Sequence, residues 1–139
     1  MTAGYLVDTN VVSELRKGNR ADPGVRDWIS SVADEGLFLS VLVIGELRRG
    51  IERIARRDEA SAEVLDRWLA GIAGEYEDRI LPVDVIVAEE WGRINVPDPL
   101  PVVDGLLAAT AIVHDLTLVT RNTADITSSP AITLNPFGQ

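Results

Sequence analysis

No cysteine occurs in the 139 residues, and there is one histidine, His114, and one lysine, Lys17. Without thiols there is no disulfide scaffold, no thiolate nucleophile and no zinc site built on sulfur. A single imidazole excludes a mechanism that pairs a histidine acid with a histidine base, and it excludes a multi-histidine metal site. Long apolar runs are missing too: Leu37 to Gly45 falls well short of the ~18 residues that a membrane span needs. The opening stretch Met1 to Asp8 has no basic region followed by an apolar core, so no signal peptide is read there. A cytoplasmic location without membrane association is the expectation. Repeats, low-complexity tracts and linkers are also absent, and the length suits one compact domain over residues 1–139.

Apolar residues are plentiful, at 46%, which is too many for a disordered chain. Charge is lopsided: 13 Lys plus Arg against 22 Asp plus Glu leaves a formal −9. That acidity opposes broad nucleic-acid binding, although a local basic strip remains compatible with it. All the basic residues except Lys17 are arginine, whose planar guanidinium suits phosphate or carboxylate partners.

Strand and helix signals alternate along the chain. Tyr5-Leu6-Val7 is a short apolar run ending at Asp8, followed by a helical segment from Asn10 to Lys17 that Gly18 stops. Asp22-Pro23 is a helix start, an N-cap followed by proline in the first turn, and Val25, Trp28, Ile29 and Val32 share the face that follows. Leu37-Phe38-Leu39 reads as a strand and Ser40 as a cap. Beyond it Ile44, Leu47, Ile51 and Ile54 step at the period of a buried helical stripe. A helix from about Asp58 to Asp78 repeats the pattern with Leu65, Trp68, Leu69, Ile72 and Tyr76, and Ile80 to Val83 reads as a strand. Val85 to Ile94 is helical until the proline-punctuated loop Pro97 to Pro101 ends it. Val102 to His114 is an alanine-rich helix, with strands at Leu116 to Val119 and Ile132 to Leu134. Such alternation indicates an α/β fold with a mostly parallel sheet, whose binding site lies beyond the carboxyl ends of the strands.

Four acids fall where that rule directs attention. Asp8 follows the first strand, Asp125 lies just past the Leu116–Val119 strand, Asp104 sits in the first turn of the alanine-rich helix, and Glu46 follows Ser40 on its helix. Two unit charges ~4 Å apart at an effective dielectric of ~20 repel by about 4 kcal/mol. A cluster of them persists only by taking up protons or a cation. Oxygen ligands without sulfur or imidazole select a hard ion, Mg²⁺ or Mn²⁺, and such an ion serves phosphoryl chemistry. Metal-dependent phosphodiester hydrolysis is the sharp expectation. Each acid also has an ordinary role open to it. Asp8 can cap the helix after it. Asp104 can complement a helix dipole, Glu46 can pair with Arg49 or Arg53, and Asp125 can be a turn residue.

The residues around these acids resemble the motifs of PIN-domain ribonucleases, specifically the VapC toxins of VapBC toxin–antitoxin pairs and their FitB-like relatives. The likeness is carried by Leu6 to Leu15 (LVDTNVVSEL), Ile44 to Gly50 (IGELRRG), Leu100 to Asp104 with Leu107 to Ala111, Leu116 to Asn122 with Asp125, and Asn135-Pro136-Phe137. It implies a single PIN-like domain, a mostly parallel sheet sandwiched by helices. It further implies a Mg²⁺-dependent endoribonuclease (Mn²⁺ a possible substitute), with Asp8, Glu46, Asp104 and Asp125 holding metal and activating water. Asp8, Asp104 and Asp125 are the implied ligands, while Thr9, Asn10, Thr120 and Asn122 would orient the acids or the scissile phosphate. The family also implies a cytoplasmic toxin, often a homodimer, neutralised by a cognate VapB-like antitoxin, and by analogy structured RNA such as tRNA as the substrate. One departure is visible: Ile126 follows Asp125 where the family usually has an aromatic.

Arg48, Arg49, Arg53, Arg56 and Arg57 form a basic strip beginning near Glu46, either an RNA track or a solvated face balanced by Glu52, Asp58 and Glu59. His114 is expected at a helix C-terminus, and the Leu65–Tyr76 stripe as core or as a docking face for a partner. Two rival enzyme classes each fail on one residue. A haloacid-dehalogenase-type phosphatase needs an acid where Asn10 stands, and a receiver domain needs a late lysine where none exists. A non-catalytic α/β interaction module, its acids serving as caps, is the remaining alternative.

Overall fold

The structure, a computed structural model, describes residues 4–138. Five short strands, β1 (Tyr5–Val7), β2 (Leu37–Ser40), β3 (Ile80–Leu81), β4 (Thr117–Val119) and β5 (Thr133–Leu134), form one sheet in the order β3-β2-β1-β4-β5. Every pairing is parallel. Six helices connect them: α1 (Thr9–Leu15), α2 (Pro23–Ser30), α3 (Val41–Ala55), α4 (Glu59–Glu75), α5 (Val85–Ile94) and α6 (Val102–Val113). None of them is long and apolar enough to cross a membrane.

β1, β2 and β3 are each followed by helices that carry the chain back to run parallel, and a parallel sheet must be covered on both faces. Leu6, Val7, Leu118 and Val119 are accordingly buried to within a few per cent. Val7, Leu37 and Leu39 face the side of α1 and α4, while α6 lies against β1 and β4 and pairs with α5. From β1 the chain builds outward to β2 and β3, then returns across the sheet to lay β4 on the other side of β1. The strand order therefore reverses between β1 and β4, and the crevice beyond their carboxyl ends is where ligands of such sheets bind.

Helix starts follow the chemistry expected of them. The side chains of Asp8, Asp22, Ser40, Asp58 and Asp84 each accept a hydrogen bond from a backbone amide in the first turn of the next helix, contributing about 1 kcal/mol apiece. Gly18 follows α1 with φ +59°, a left-handed conformation that only glycine adopts without strain, and opens a 3-10 turn to Arg20. Several element ends differ from the sequence reading by a residue or more, most visibly in β3, α4 and α1. β3 stops at Leu81 because Pro82 has no amide with which to continue the ladder. α4 ends at Glu75 and gives way to a 3-10 turn, Glu77–Arg79. α1 is shifted one to two residues toward Asp8, which caps it directly.

Candidate active site

Asp8 leaves the end of β1 nearly buried, 5% exposed. Its amide donates to the Val119 carbonyl at 2.9 Å, stitching the ends of β1 and β4 together. Both carboxylate oxygens are engaged. Oδ1 accepts the Thr9 amide and Oδ2 the Thr120 hydroxyl, each at 2.7 Å. Burial pushes the Asp8 carboxyl up, the Thr120 and Thr9 bonds draw it back, and the charge of Glu46 pushes the same way as burial.

Thr120 is itself buried, and its hydroxyl accepts the Asn122 amide at 3.0 Å while donating to Asp8. Asn10 Nδ2 approaches the same oxygen at 3.5 Å, and Asn10 Oδ1 accepts the Arg121 amide at 3.2 Å. The first turn of α1 and the loop after β4 are thus locked together by side chains. On α3, Glu46 Oε1 accepts the Thr9 hydroxyl at 2.5 Å, so the pairing with Arg49 or Arg53 that the sequence left open is not formed.

Asp104 occupies the first turn of α6, as expected. Its carboxyl is pushed up to about 6, chiefly by burial and then by the charges of Asp8, Asp125 and Glu46. The four acids therefore share one electrostatic site, and none of them forms an ion pair among the described residues. Nor do three of them converge as ready-made ligands of one ion among those residues, Asp8 and Glu46 being held on the two threonine hydroxyls instead. Mutually repelling carboxylates, hydroxyl neighbours and no cation beside them are a donor set that fits a hard divalent ion.

Asp125 lies in a 3-10 turn, Thr123–Ile126, pinned by Ile126, which is 1% exposed and fills the core where the family places an aromatic. The two arginines singled out from the strip part company. Arg48 binds Asp66 on α4 at 2.6 Å and Glu52 at 3.4 Å, away from the acids. Arg49 lines a depression beside Glu46. The Leu65–Tyr76 stripe contributes Trp68, Ile72 and Tyr76 to a cavity of about 160 Å³ against α1, and none of the four acids lines it.

Two supporting contacts escaped the sequence reading. The Arg121 guanidinium lies 3.7 Å from the centre of the Phe137 ring, fastening the tail to the loop after β4; the only trace in sequence is the Asn135-Pro136-Phe137 ending. A Cβ on Gly105 would stand 3.2 Å from the Trp91 indole nitrogen, so a glycine beside Asp104 lets α5 and α6 pack closely there.

The PIN domain family model matches residues 5–126. Toxin FitB of Neisseria gonorrhoeae is 31% identical over 95% of this chain and 97% of its own length. A VapC ribonuclease of Sinorhizobium fredii is 29% identical over 95% of this chain and 96% of its own. Among solved structures, FitAcB from Neisseria gonorrhoeae superposes with a TM-score of 0.87 at 31% identity, covering 95% of this chain and 97% of the other. The FitAB complex bound to an IR36 DNA fragment gives 0.85 at 28%, covering 97% and 96%. With the acids gathered at the β1/β4 crevice and the match running through nearly the whole chain, the protein belongs to the PIN-domain family of metal-dependent nucleases, among its VapC- and FitB-type toxins.

Proposed function

We propose that this toxin is a Mg²⁺-dependent endoribonuclease, with Mn²⁺ a possible substitute, and that Asp8, Asp104 and Asp125 hold the ion while Glu46 orients the attacking water. The observation that carries the reading is Asp104: burial first, and then the charges of Asp8, Asp125 and Glu46, raise its affinity for a proton, and a divalent cation would relieve that repulsion. When bound, the ion polarises the scissile phosphate and offsets charge in the transition state.

The chain's own residues do the positioning. The Thr120 hydroxyl fixes Asp8 Oδ2, and Asn10 and the Asn122 amide fix Thr120. Thr9 occupies Oε1 of Glu46, leaving Oε2 to accept a proton from water aligned on the phosphorus. Structured RNA, tRNA above all, is the substrate class we favour. Arg49 contacts it, whereas the bonds of Arg48 to Asp66 and Glu52 give that residue a structural part. The relatives solved as FitAB and VapBC assemblies support a cognate VapB-like antitoxin as the partner of this chain. A homodimer acting in the cytoplasm completes the reading.

Incubating the purified chain with total RNA, with Mg²⁺ and with a chelator, tests it. Metal-dependent cleavage that disappears in Asp104→Asn is the expected result; equal cleavage by wild type and Asp104→Asn overturns it.

A further inference from the structure

Val41, Gly45 and Arg49 step by four along α3 and so share one row of its surface. With Leu42, Glu46 and Val103 they line an open depression of about 250 Å³ between the start of α3 and the start of α6. It borders the acids directly, since Glu46 forms part of its wall and Val103 precedes Asp104. The floor is open at Gly45, where a Cβ would meet nothing within 4 Å. Val41 turns 41% of its surface to solvent there. Arg49 has no carboxylate within 4 Å among the described residues, while its neighbour Arg48 holds two.

We propose that this depression seats one unstacked nucleotide of the RNA substrate, its phosphate gripped by Arg49 and its base or ribose laid on Val41, Leu42 and Val103. The inference rests on the ribonuclease reading above. A polyanion nearing four acids on a chain of net charge −9 is repelled, so a free guanidinium at their edge supplies the attraction the site lacks. Guanidinium–phosphate bonds are charge-assisted, and apolar walls suit a base turned out of its stack. Duplex RNA keeps its bases stacked and its major groove closed to side chains, so the occupant is single-stranded.

Fluorescence anisotropy tests the assignment, using the full chain carrying Asp104→Asn, Mg²⁺ and a labelled single-stranded RNA of about ten nucleotides across a salt series. Adding Arg49→Gln weakens binding about tenfold and lowers the slope of log Kd against log salt by ~0.7, the loss of one phosphate contact. Gly45→Leu weakens binding and leaves the slope unchanged. The exposed Arg67→Gln on α4 changes neither. Equal behaviour of Arg49→Gln and Arg67→Gln, full affinity in Gly45→Leu, or equally tight duplex binding overturns the subsite. Cleavage by the chain with Asp104 intact is followed in parallel. RNA that binds through Arg49 but is never cut sinks the ribonuclease reading alone. RNA that is cut with the same KM in Arg49→Gln and Gly45→Leu sinks the subsite alone.

Discussion

The hydroxyl of Thr120 donates to Asp8 Oδ2 at 2.7 Å across 112 positions of sequence. It is the buried joint between the two central strands, and it presents one carboxylate oxygen of the site in a fixed direction. Thr120→Val removes the donor while keeping the volume, leaving a buried carboxylate short of a partner. We expect a stability loss of about 1–3 kcal/mol by urea denaturation and a Mg²⁺ affinity weakened ~10-fold or more by calorimetry. Thr120→Ser should recover most of both.

Asp104→Asn separates function from stability. If Asp104 holds the ion as proposed, cleavage should fall at least ~100-fold, because the ion would lose a ligand and the transition state its compensation. The metal-free fold should gain, since one of four repelling charges is gone. At this part-exposed position solvent screening holds the gain to about 1 kcal/mol, visible in calorimetry as a rise of a few degrees in Tm.

The pH dependence of the metal-free chain follows from the same group. Asp104 titrates near 6 in the folded state against an ordinary 3.8, so between those values the native state binds more protons than the unfolded one. Stability therefore falls as pH rises through that window, and Asp8, also raised, adds to the fall. Asp22 and Asp58 are lowered by backbone and Ser61 hydrogen bonds and work oppositely, losing their contribution as pH drops below the carboxylate range. Urea midpoints without metal should peak near about pH 4–5 and decline toward 7. Saturating Mg²⁺ should flatten the decline, at 100 times its Kd adding ~2.7 kcal/mol. A midpoint that climbs steadily from pH 4 to 7 without metal contradicts this.

Gly24→Ala tests the tail. A Cβ at Gly24 would stand 2.4 Å from the Pro136 carbonyl oxygen and 2.6 Å from the Gly138 amide, both backbone atoms that cannot swing aside. The tail must lift, breaking the Gly138 amide's 2.8 Å bond to Asp22 and loosening Phe137 from Arg121. We expect about 1–3 kcal/mol of destabilisation and faster proteolysis beyond Leu134, with Asp8 and Asp104 untouched.

Local signals made much of this legible in the sequence. Asp22-Pro23 and Ser40 announce helix starts by their own chemistry, and the Ile44–Ile54 stripe announces a buried face by its period. The alternation of elements, with the resemblance at the four acids, points to a parallel sheet and to its carboxyl edge. What stayed hidden depends on partners far apart in sequence. Glu46 has Arg49 one helical turn away and Arg53 two, yet its bond is to Thr9, 37 residues away. Arg48 and Arg49 are adjacent in one basic run, but only the fold brings Asp66 to the first and leaves the second beside Val103. Pro82 is a stop written in the sequence itself, and it ends β3 at Leu81, short of the apolar run's Val83. No rule of spacing reveals a ring stacked on Arg121 from the far end of the chain.

Placing β4 beside β1 has a consequence for synthesis. The amino-terminal two-thirds of the polypeptide emerges from the ribosome with Asp8 attached to a strand that has one naked edge, and with neither Thr120 nor Asp125 yet made. The joining of Asp8 to Thr120 waits on the segment that carries β4. Until β4 and Thr120 are made, Asp8 lacks the hydroxyl that fixes its Oδ2, and the sheet lacks the strand that closes the free edge of β1.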